Sequence, residues 1–237
     1  MIPFRPTANR RQTMSDENRM QEMGAVLQRM MDEFFSIQYR YSAAMKEVQT
    51  KLEILDDEFQ LRHRRNPIHH IESRLKSIHS IMEKLNRKHF SVTMQSATEN
   101  LKDIAGIRVI CSYVQDVYTV AQLLTSQDDV TLLEMRDYIR NPKANGYRSL
   151  HLIIEIPIFL RDGRMLIPVE VQIRTIAMDF WASLEHDLRY KAAGQVPENI
   201  CQELQEVGRD IAALDEKMQS IHDRIDSIVA TETESTR

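Results

Sequence analysis

Two cysteines in 237 residues cannot build a disulfide framework, and Cys111 and Cys201 lack metal-ligand spacing. Glycine is scarce as well, at six. None falls in a GxxxxGK(S/T) loop or a GxGxxG turn, so a nucleotide here would not rest on a Walker, Rossmann or kinase glycine loop. Its phosphates would need side-chain cations instead. Long apolar runs are missing too: residues 150–160 are interrupted by His151, Glu155 and Pro157, too short to span a bilayer. The first residues are polar and basic, without the apolar core of a signal peptide. A net charge of −4 excludes wholesale coating of nucleic acid, so positive charge matters only where it is local. The histidines form no HExxH pattern; His69-His70 reads as structural, and His186-Asp187 and His222-Asp223 as chance neighbours on helices. The chain reads as cytoplasmic and reduced.

What is present divides along the chain. Residues 1–14, with Pro3, Pro6 and three arginines, read as a flexible arm. Ser15 then offers a helix cap, with Asp16 and Glu17 suited to the positive helix end. Met20, Met23, Leu27, Met30, Phe34, Ile37, Tyr41, Ala44 and Val48 recur in steps of three and four. The stripe continues through Leu52, Leu55 and Phe59, predicting one long amphipathic helix or two with a break. Residues 62–67 interrupt the stripe and Pro67 is placed to open a further helix to about residue 88; His69 and His70 are read in the loop after Pro67.

The middle turns strand-like at 107–113, 130–138, 150–159 and 165–175, with a helix at 115–125 between the first two strands. Arg161-Asp162-Gly163 makes the turn before the last strand, and another helix starts near Ile176. The expected class is therefore α+β: a mixed sheet flanked by helices, over residues 15–195. In the tail, Ile200, Leu204, Val207, Ile211, Leu214, Met218, Ile221, Ile225 and Ile228 alternate steps of four and three. That period marks a heptad seam over 196–230, packing either on the chain's own N-terminal helix or on another subunit. Residues 231–237 read as a disordered, frayed tail.

Three clusters carry chemistry. In the first, Arg74 and Lys76 open a basic stretch in which Ser80 and Lys84 share one side of a helix. Alone it would be a solvated face. In the second, Asp103 precedes Ala105-Gly106 and a buried strand, a place for a metal at a strand rim or for ordinary punctuation. The third joins a cationic loop, with Arg136, Arg140, Lys143 and Arg148, to Tyr147 as a stacking ring and Gly146 as a point of close approach. It leads to a strand on which Glu170, Gln172 and Arg174 share one face while Val169, Val171 and Ile173 enter the core. A carboxylate on a rigid strand beside a cationic loop suits a metal-and-phosphate site, and so nucleotide chemistry.

In this order, stretches 73–84, 103–110, 136–151, 170–175 and 178–191 resemble the synthetase domain of the RelA/SpoT family, over roughly residues 20–215. The length and flanking helices resemble its single-domain members, the small alarmone synthetases. The resemblance implies a nucleotidyltransferase-like sheet and transfer of the β,γ-pyrophosphate of ATP to the 3′-hydroxyl of GDP or GTP, giving ppGpp or pppGpp and AMP. It implies Arg74 and Arg108 about the adenine, and Lys76, Ser80 and Lys84 on the ATP phosphates. Tyr147 would stack on guanine, with Arg136, Lys143, His151, Gln172 and Asp179 serving the acceptor nucleotide. Asp103 and Glu170 would hold Mg²⁺, Glu170 also orienting or deprotonating the attacking hydroxyl.

Homotetramers assembled through the terminal helices are implied, with no hydrolase half, and with regulatory alarmone or RNA binding left open. Asp179 stands where relatives often carry asparagine, and residues 66–71 differ from the segment through which some relatives sense product. Two other readings stay open: a related pyrophosphotransferase acting on adenine nucleotides or the tRNA 3′ end, hinted at by arginines 62, 64 and 65, and a non-catalytic nucleotide or RNA sensor.

Overall fold

The computed structural model describes residues 9–63, 65–192 and 196–235, with a five-stranded mixed sheet at its centre. Its strands are β1 (Ile68–Leu75), β2 (Ala105–Cys111), β3 (Thr131–Asp137), β4 (Leu150–Leu160) and β5 (Gly163–Thr175), in spatial order β1-β2-β5-β4-β3. β2 and β5 run parallel, and the other neighbours are antiparallel. Arg161 and Asp162 turn β4 into β5, and Gly163 closes the hairpin at φ 115°, a backbone angle that costs glycine little.

Alternation decides which face does what. Val169, Val171 and Ile173 of β5, Leu150, Leu152 and Ile154 of β4, and Ile107 and Val109 of β2 are all buried. Helices α1 (Asn9–His63) and α4 (Val114–Thr125) pack against these strands, α1 through Tyr41, Ala44, Val48 and Leu52, α4 through Val117, Val120 and Leu124. Each fully buried aliphatic side chain contributes about 1.5–3 kcal/mol, so this layer anchors the sheet. The opposite face is left for polar side chains.

Four expectations need correction. Residues 68–75 form β1, an edge strand; the helix after it, α2 (Ile78–Arg87), begins eleven residues beyond Pro67, with Ser77 as its cap. His69 and His70 therefore lie on a strand and not in a loop. A short helix, α3 (Met94–Asn100), capped by Thr93, was not anticipated. The N-terminal helix runs unbroken from Asn9, so residues 9–14 of the expected arm are helical, Ser15 lies inside the helix, and residues 1–8 fall outside the described set. At the other end α6 (Glu198–Ser235) continues through most of the expected frayed tail, residues 236–237 lying outside the description.

α6 rests on α4 and on α5 (Ile176–Lys191) rather than on the N-terminal helix. Its inward side is small and polar: Gly208 and Asp215 are buried, and Asp215 accepts a 2.6 Å hydrogen bond from Thr175, which also caps α5. Most of the apolar seam faces outward, with Val207, Leu214, Met218, Ile221, Ile225 and Ile228 exposed. No described helix is long and apolar enough to cross a membrane.

Candidate active site

The polar face of the sheet is organised in two neighbouring rows that cross all five strands. One row pairs Glu72, Arg108, Gln172, His151 and Arg136, strand by strand. The next pairs Arg74, Gly106, Glu170, Ile153 and Glu134. Two-residue periodicity puts both rows on one face, which is how residues far apart in sequence meet. Gly106 separates Arg74 from Glu170 and opens a gap in the second row.

That gap belongs to a cavity of about 740 Å³ lined by Arg74, Lys76, Ser80, Asp103, Arg108 and Glu170, among others. A smaller cavity of about 230 Å³ adjoins Lys84, Lys88, Lys102, Arg136, Asp103 and Glu170. The two carboxylates thus border both spaces. Lys84, expected with Lys76 and Ser80, lines the smaller cavity and reaches the larger group through Asp103.

Asp103 holds this junction together. A backbone bond from Lys76 N to Ile104 O (2.9 Å) ties the loop after β1 to the loop before β2. Asp103 Oδ2 then accepts from the ammonium groups of both Lys76 and Lys84. Burial pushes the Asp103 carboxyl up, but the two lysines outweigh it and hold it below the ordinary range. Lys76 is displaced downward as well, chiefly by burial, with Lys84 adding repulsion and Asp103 opposing both. The two partners do not move as a balanced ion pair would: burial outweighs the pull of Asp103 on Lys76, while Asp103 itself draws on two lysines. The surplus positive charge fits a phosphate.

Asp103 Oδ1 is buried without a hydrogen-bond partner. Together with Glu170 it supplies hard oxygen donors of the kind Mg²⁺ takes alongside substrate phosphates and water. Among the described residues no group of three or more His, Cys, Asp or Glu gathers in one place, so the carboxylate pair alone would not enclose a cation. The donor set fits a metal shared with a phosphorylated substrate.

Glu170 is held from two sides. Gln172 Nε2 donates to Oε2 at 2.9 Å, and His151 Nδ1 lies 3.5 Å from Oε1. Burial alone would raise its pKa; the His151 and Gln172 contacts overcome that and hold the carboxyl below the ordinary glutamate value. Tyr147 Oη is 2.8 Å from His151 Nε2. Lys143 Nζ sits over the rings of Tyr138 and Tyr147, at 4.5 and 4.6 Å from their centres, a cation–π clasp. Lys143, Tyr147, His151 and Gln172 are therefore one cluster, as expected, while Arg136 stands beside His151 in the row, its Nε on Glu134 at 2.6 Å.

Asp179 Oδ1 accepts from Arg174 Nη1 at 3.1 Å and lies 3.7 Å from Arg108 Nη1. Arg108 Nη1 also pairs with Glu72 at 3.0 Å. Asp179 thus bridges cations from both halves of the site. Gly146 departs from its expected role: at φ 88° it needs glycine for its backbone, and its neighbours are Trp181, Gln205 and Gly208, not a nucleotide space. Arg140 faces Tyr118 at 5.2 Å, and Arg148 Nη1 is buried without a partner. Tyr138, Lys88, Lys102 and the buried Arg174 were not singled out by sequence. Arg174 alone gave a signal, a charge on the polar face of a buried strand.

Of the arginines that hinted at tRNA, Arg65 makes a two-pronged pair with buried Asp116 (2.7 and 2.9 Å) and Arg62 pairs with Glu58 at 2.6 Å. Arg64 lies outside the described residues. His222 stacks on Tyr113 at 4.2 Å, a structural contact.

A side chain at Gly106 offers a direct test of the gap. A Cβ there would meet Arg74 O at 3.5 Å, ordinary contact, so Gly106→Val should fold normally. Its branches would fill the opening between Arg74 and Glu170. The expected result is an unchanged melting curve with nucleotide affinity at the larger cavity down by about 10-fold or more, read by calorimetric titration with a non-hydrolysable ATP analogue.

Comparison with known proteins gives consistent results. A family model described as "Region found in RelA / SpoT proteins" matches residues 73–195. The GTP pyrophosphokinase YwaC of Bacillus subtilis is 46% identical over 186 residues, 78% of this chain and 89% of that protein. Small alarmone synthetase 2 of B. subtilis superposes with a TM-score of 0.74 at 42% identity, over 81% of this chain and 99% of that one. Small alarmone synthetase 1 of B. subtilis, solved with its product pppGpp, gives a TM-score of 0.72 at 36% identity, over 78% and 94% of the two chains.

Proposed function

Because this chain belongs to the RelA/SpoT family, we propose that it is a (p)ppGpp synthetase, transferring the β,γ-pyrophosphate of ATP to the 3′-hydroxyl of GDP or GTP and releasing AMP. The observation that carries this reading is the pair Asp103 and Glu170 at the junction of two cation-lined cavities, with the Tyr147, His151 and Gln172 cluster against Glu170.

ATP takes the larger cavity. Arg74 and Arg108 flank the bare Gly106 position, where flat guanidinium groups can cover the adenine. Lys76, Ser80 and Lys84 serve the phosphates, and the surplus charge around Asp103 is neutralised by them. The acceptor nucleotide uses Tyr147 for its base and Arg136, Lys143, His151, Gln172 and Asp179 for its remaining groups. Lys143 is exposed and Arg174 buried, so a stacking base displaces the lysine from the Tyr147 ring. Mg²⁺ held by Asp103 and Glu170 would supply neutralisation of phosphate charge as AMP departs. Glu170, ionised and fixed on a rigid strand, orients the 3′-hydroxyl in line with the β-phosphorus and accepts its proton.

The test is incubation with Mg²⁺, ATP and GDP, GTP, ADP or bulk tRNA, with products resolved by mass. AMP should appear in step with a pyrophosphorylated guanosine nucleotide. Product on adenosine or tRNA would move the substrate class; no AMP with any acceptor, also in the presence of ppGpp, would leave a nucleotide sensor. The commitment of Arg62 and Arg65 to carboxylates weakens the tRNA alternative.

The exposed α6 seam supports self-association through the terminal helices, as a homotetramer. Light scattering should give about four times the 27.8 kDa chain mass. Ile221→Asp with Ile225→Asp should yield a smaller species, and an unchanged mass would dismiss the seam as the interface. A cytoplasmic, reducing location fits the buried free thiol of Cys111.

A further inference from the structure

Arg174 is 5% exposed and is not among the side chains that line either cavity, yet its guanidinium touches the cluster at four points. Nη2 lies 2.6 Å from Tyr147 Oη and 2.8 Å from Gln172 Oε1, Nη1 lies 3.1 Å from Asp179 Oδ1, and Nε lies 3.4 Å from Ser149 Oγ. A guanidinium only donates. That fact sets the direction of each bond beyond it.

The first chain is short. Arg174 donates to the oxygen of the Gln172 amide, so the amide nitrogen must point the other way, and it donates to Glu170 Oε2 at 2.9 Å. The second chain is longer. Tyr147 Oη accepts from Arg174, which leaves the phenol proton free to go to His151 Nε2, 2.8 Å away. A neutral imidazole that accepts at Nε2 carries its proton on Nδ1. Nδ1 faces Glu170 Oε1 at 3.5 Å, a long contact of the kind that tightens when substrate binds.

We infer that Arg174 is a positioning residue whose one donor nitrogen fixes the polarity of two hydrogen-bond chains, which end on the two different oxygens of Glu170. The inference rests on the reading of Glu170 as the reacting carboxylate. Each Glu170 oxygen receives one donor from the protein and keeps its other lone pairs for substrate. The Tyr147 hydroxyl then has a task distinct from its ring: the ring meets the base, while the hydroxyl sets the histidine. Were the chains reversed, an amide oxygen or a bare imidazole lone pair would face the carboxylate.

The test is nitrogen-15 NMR of the intact, nucleotide-free protein labelled at histidine, at a pH where free histidine is neutral. The His151 signal is identified by its loss in His151→Gln. The wild type should show the neutral Nδ1–H form, and Tyr147→Phe and Arg174→Lys should move it toward Nε2–H. Lysine keeps the charge but cannot reproduce the fork, and circular dichroism verifies that it folds. In steady-state assays Tyr147→Phe should keep the acceptor KM within about threefold while kcat falls about 10- to 100-fold, the effect of removing a group that orients a ligating residue. An Nε2–H or doubly protonated His151 in the wild type, or a tautomer unchanged in both variants, would overturn the inference. If Glu170→Gln stayed active while the tautomer behaved as described, the catalytic reading would fall and the hydrogen-bond chains would stand.

Discussion

Glu170→Gln should leave the fold and the affinity for an ATP analogue in place and stop alarmone synthesis, with kcat lower by at least about 10³-fold. The substitution preserves shape but removes the charge and one acceptor. On the inferred hydrogen-bond polarity both neighbours of Glu170 donate to it, Gln172 to one oxygen at 2.9 Å and His151 to the other, 3.5 Å away. An amide has a single oxygen, so whichever way it turns, its NH₂ faces a donor. A hydroxyl brought to this position finds neither a base nor an anion to orient it. The loss should appear in kcat, with the melting temperature and affinity for an ATP analogue close to wild type. Readily measurable synthesis by the purified variant would remove Glu170 from the chemistry.

Asp103→Asn should be costly twice over. Activity should fall by about two to three orders of magnitude, because the proposed metal-holding pair with Glu170 loses one of its two charges. Stability falls too, since Lys76 and Lys84 are left partly buried around a neutral amide. Side-chain exposures of 23%, 22% and 15% for Lys76, Lys84 and Asp103 place the cluster short of full burial. The cost is therefore about 1–3 kcal/mol, below that of breaking a wholly buried pair.

The pH dependence has a definite sign. The folded-state pKa of Asp103 lies below its ordinary value, so the stabilisation is fully present above about pH 4. It is lost as pH falls through the folded value. The gap in melting temperature between wild type and Asp103→Asn should begin to narrow as the pH drops below about 4, and close once the pH is below the lowered folded-state value, where the native aspartate is itself neutral. A gap that stays constant in acid would mean the two lysines do not depend on the Asp103 charge.

Much of this site could be read from the chain because strand periodicity is strict. Once Val169, Val171 and Ile173 are assigned inward, Glu170 and Gln172 must share the other face, and the structure places them in the two polar rows. β1 was misread as helix for an equally physical reason. Ile68, Ile71 and Leu75 are spaced three and four apart, the helical interval, and the odd step is absorbed by an irregularity in pairing between Ile68 and His70. As an edge strand it buries little, so alternation barely marks it. The tail's heptad pattern was sound as a helix, but its inward side is the stripe of Gly208 and Asp215, which no hydrophobic pattern reveals. Arg174 was legible as a position and not as a hub, since apart from Gln172 on its own strand its partners come from elsewhere, Tyr147 and Ser149 from the loop before β4 and Asp179 from α5.

The contact between α6 and the acceptor loop has a mechanical consequence. A Cβ on Gly208 would come within 3.4 Å of Gly146 Cα and O and of Trp181 Nε1, and Gly146 directly precedes Tyr147. Gln205 and Trp181 brace the same spot, Gln205 on Ala144 O and Trp181 on Leu204 O at 3.1 Å. Contacts this close tie helix and loop together, so that they would move as one lever with the glycine pair as its fulcrum. If copies of this chain grip one another by the outer side of α6, tilting one lever tilts its neighbours, and occupancy of one acceptor pocket would be felt in the next as cooperativity.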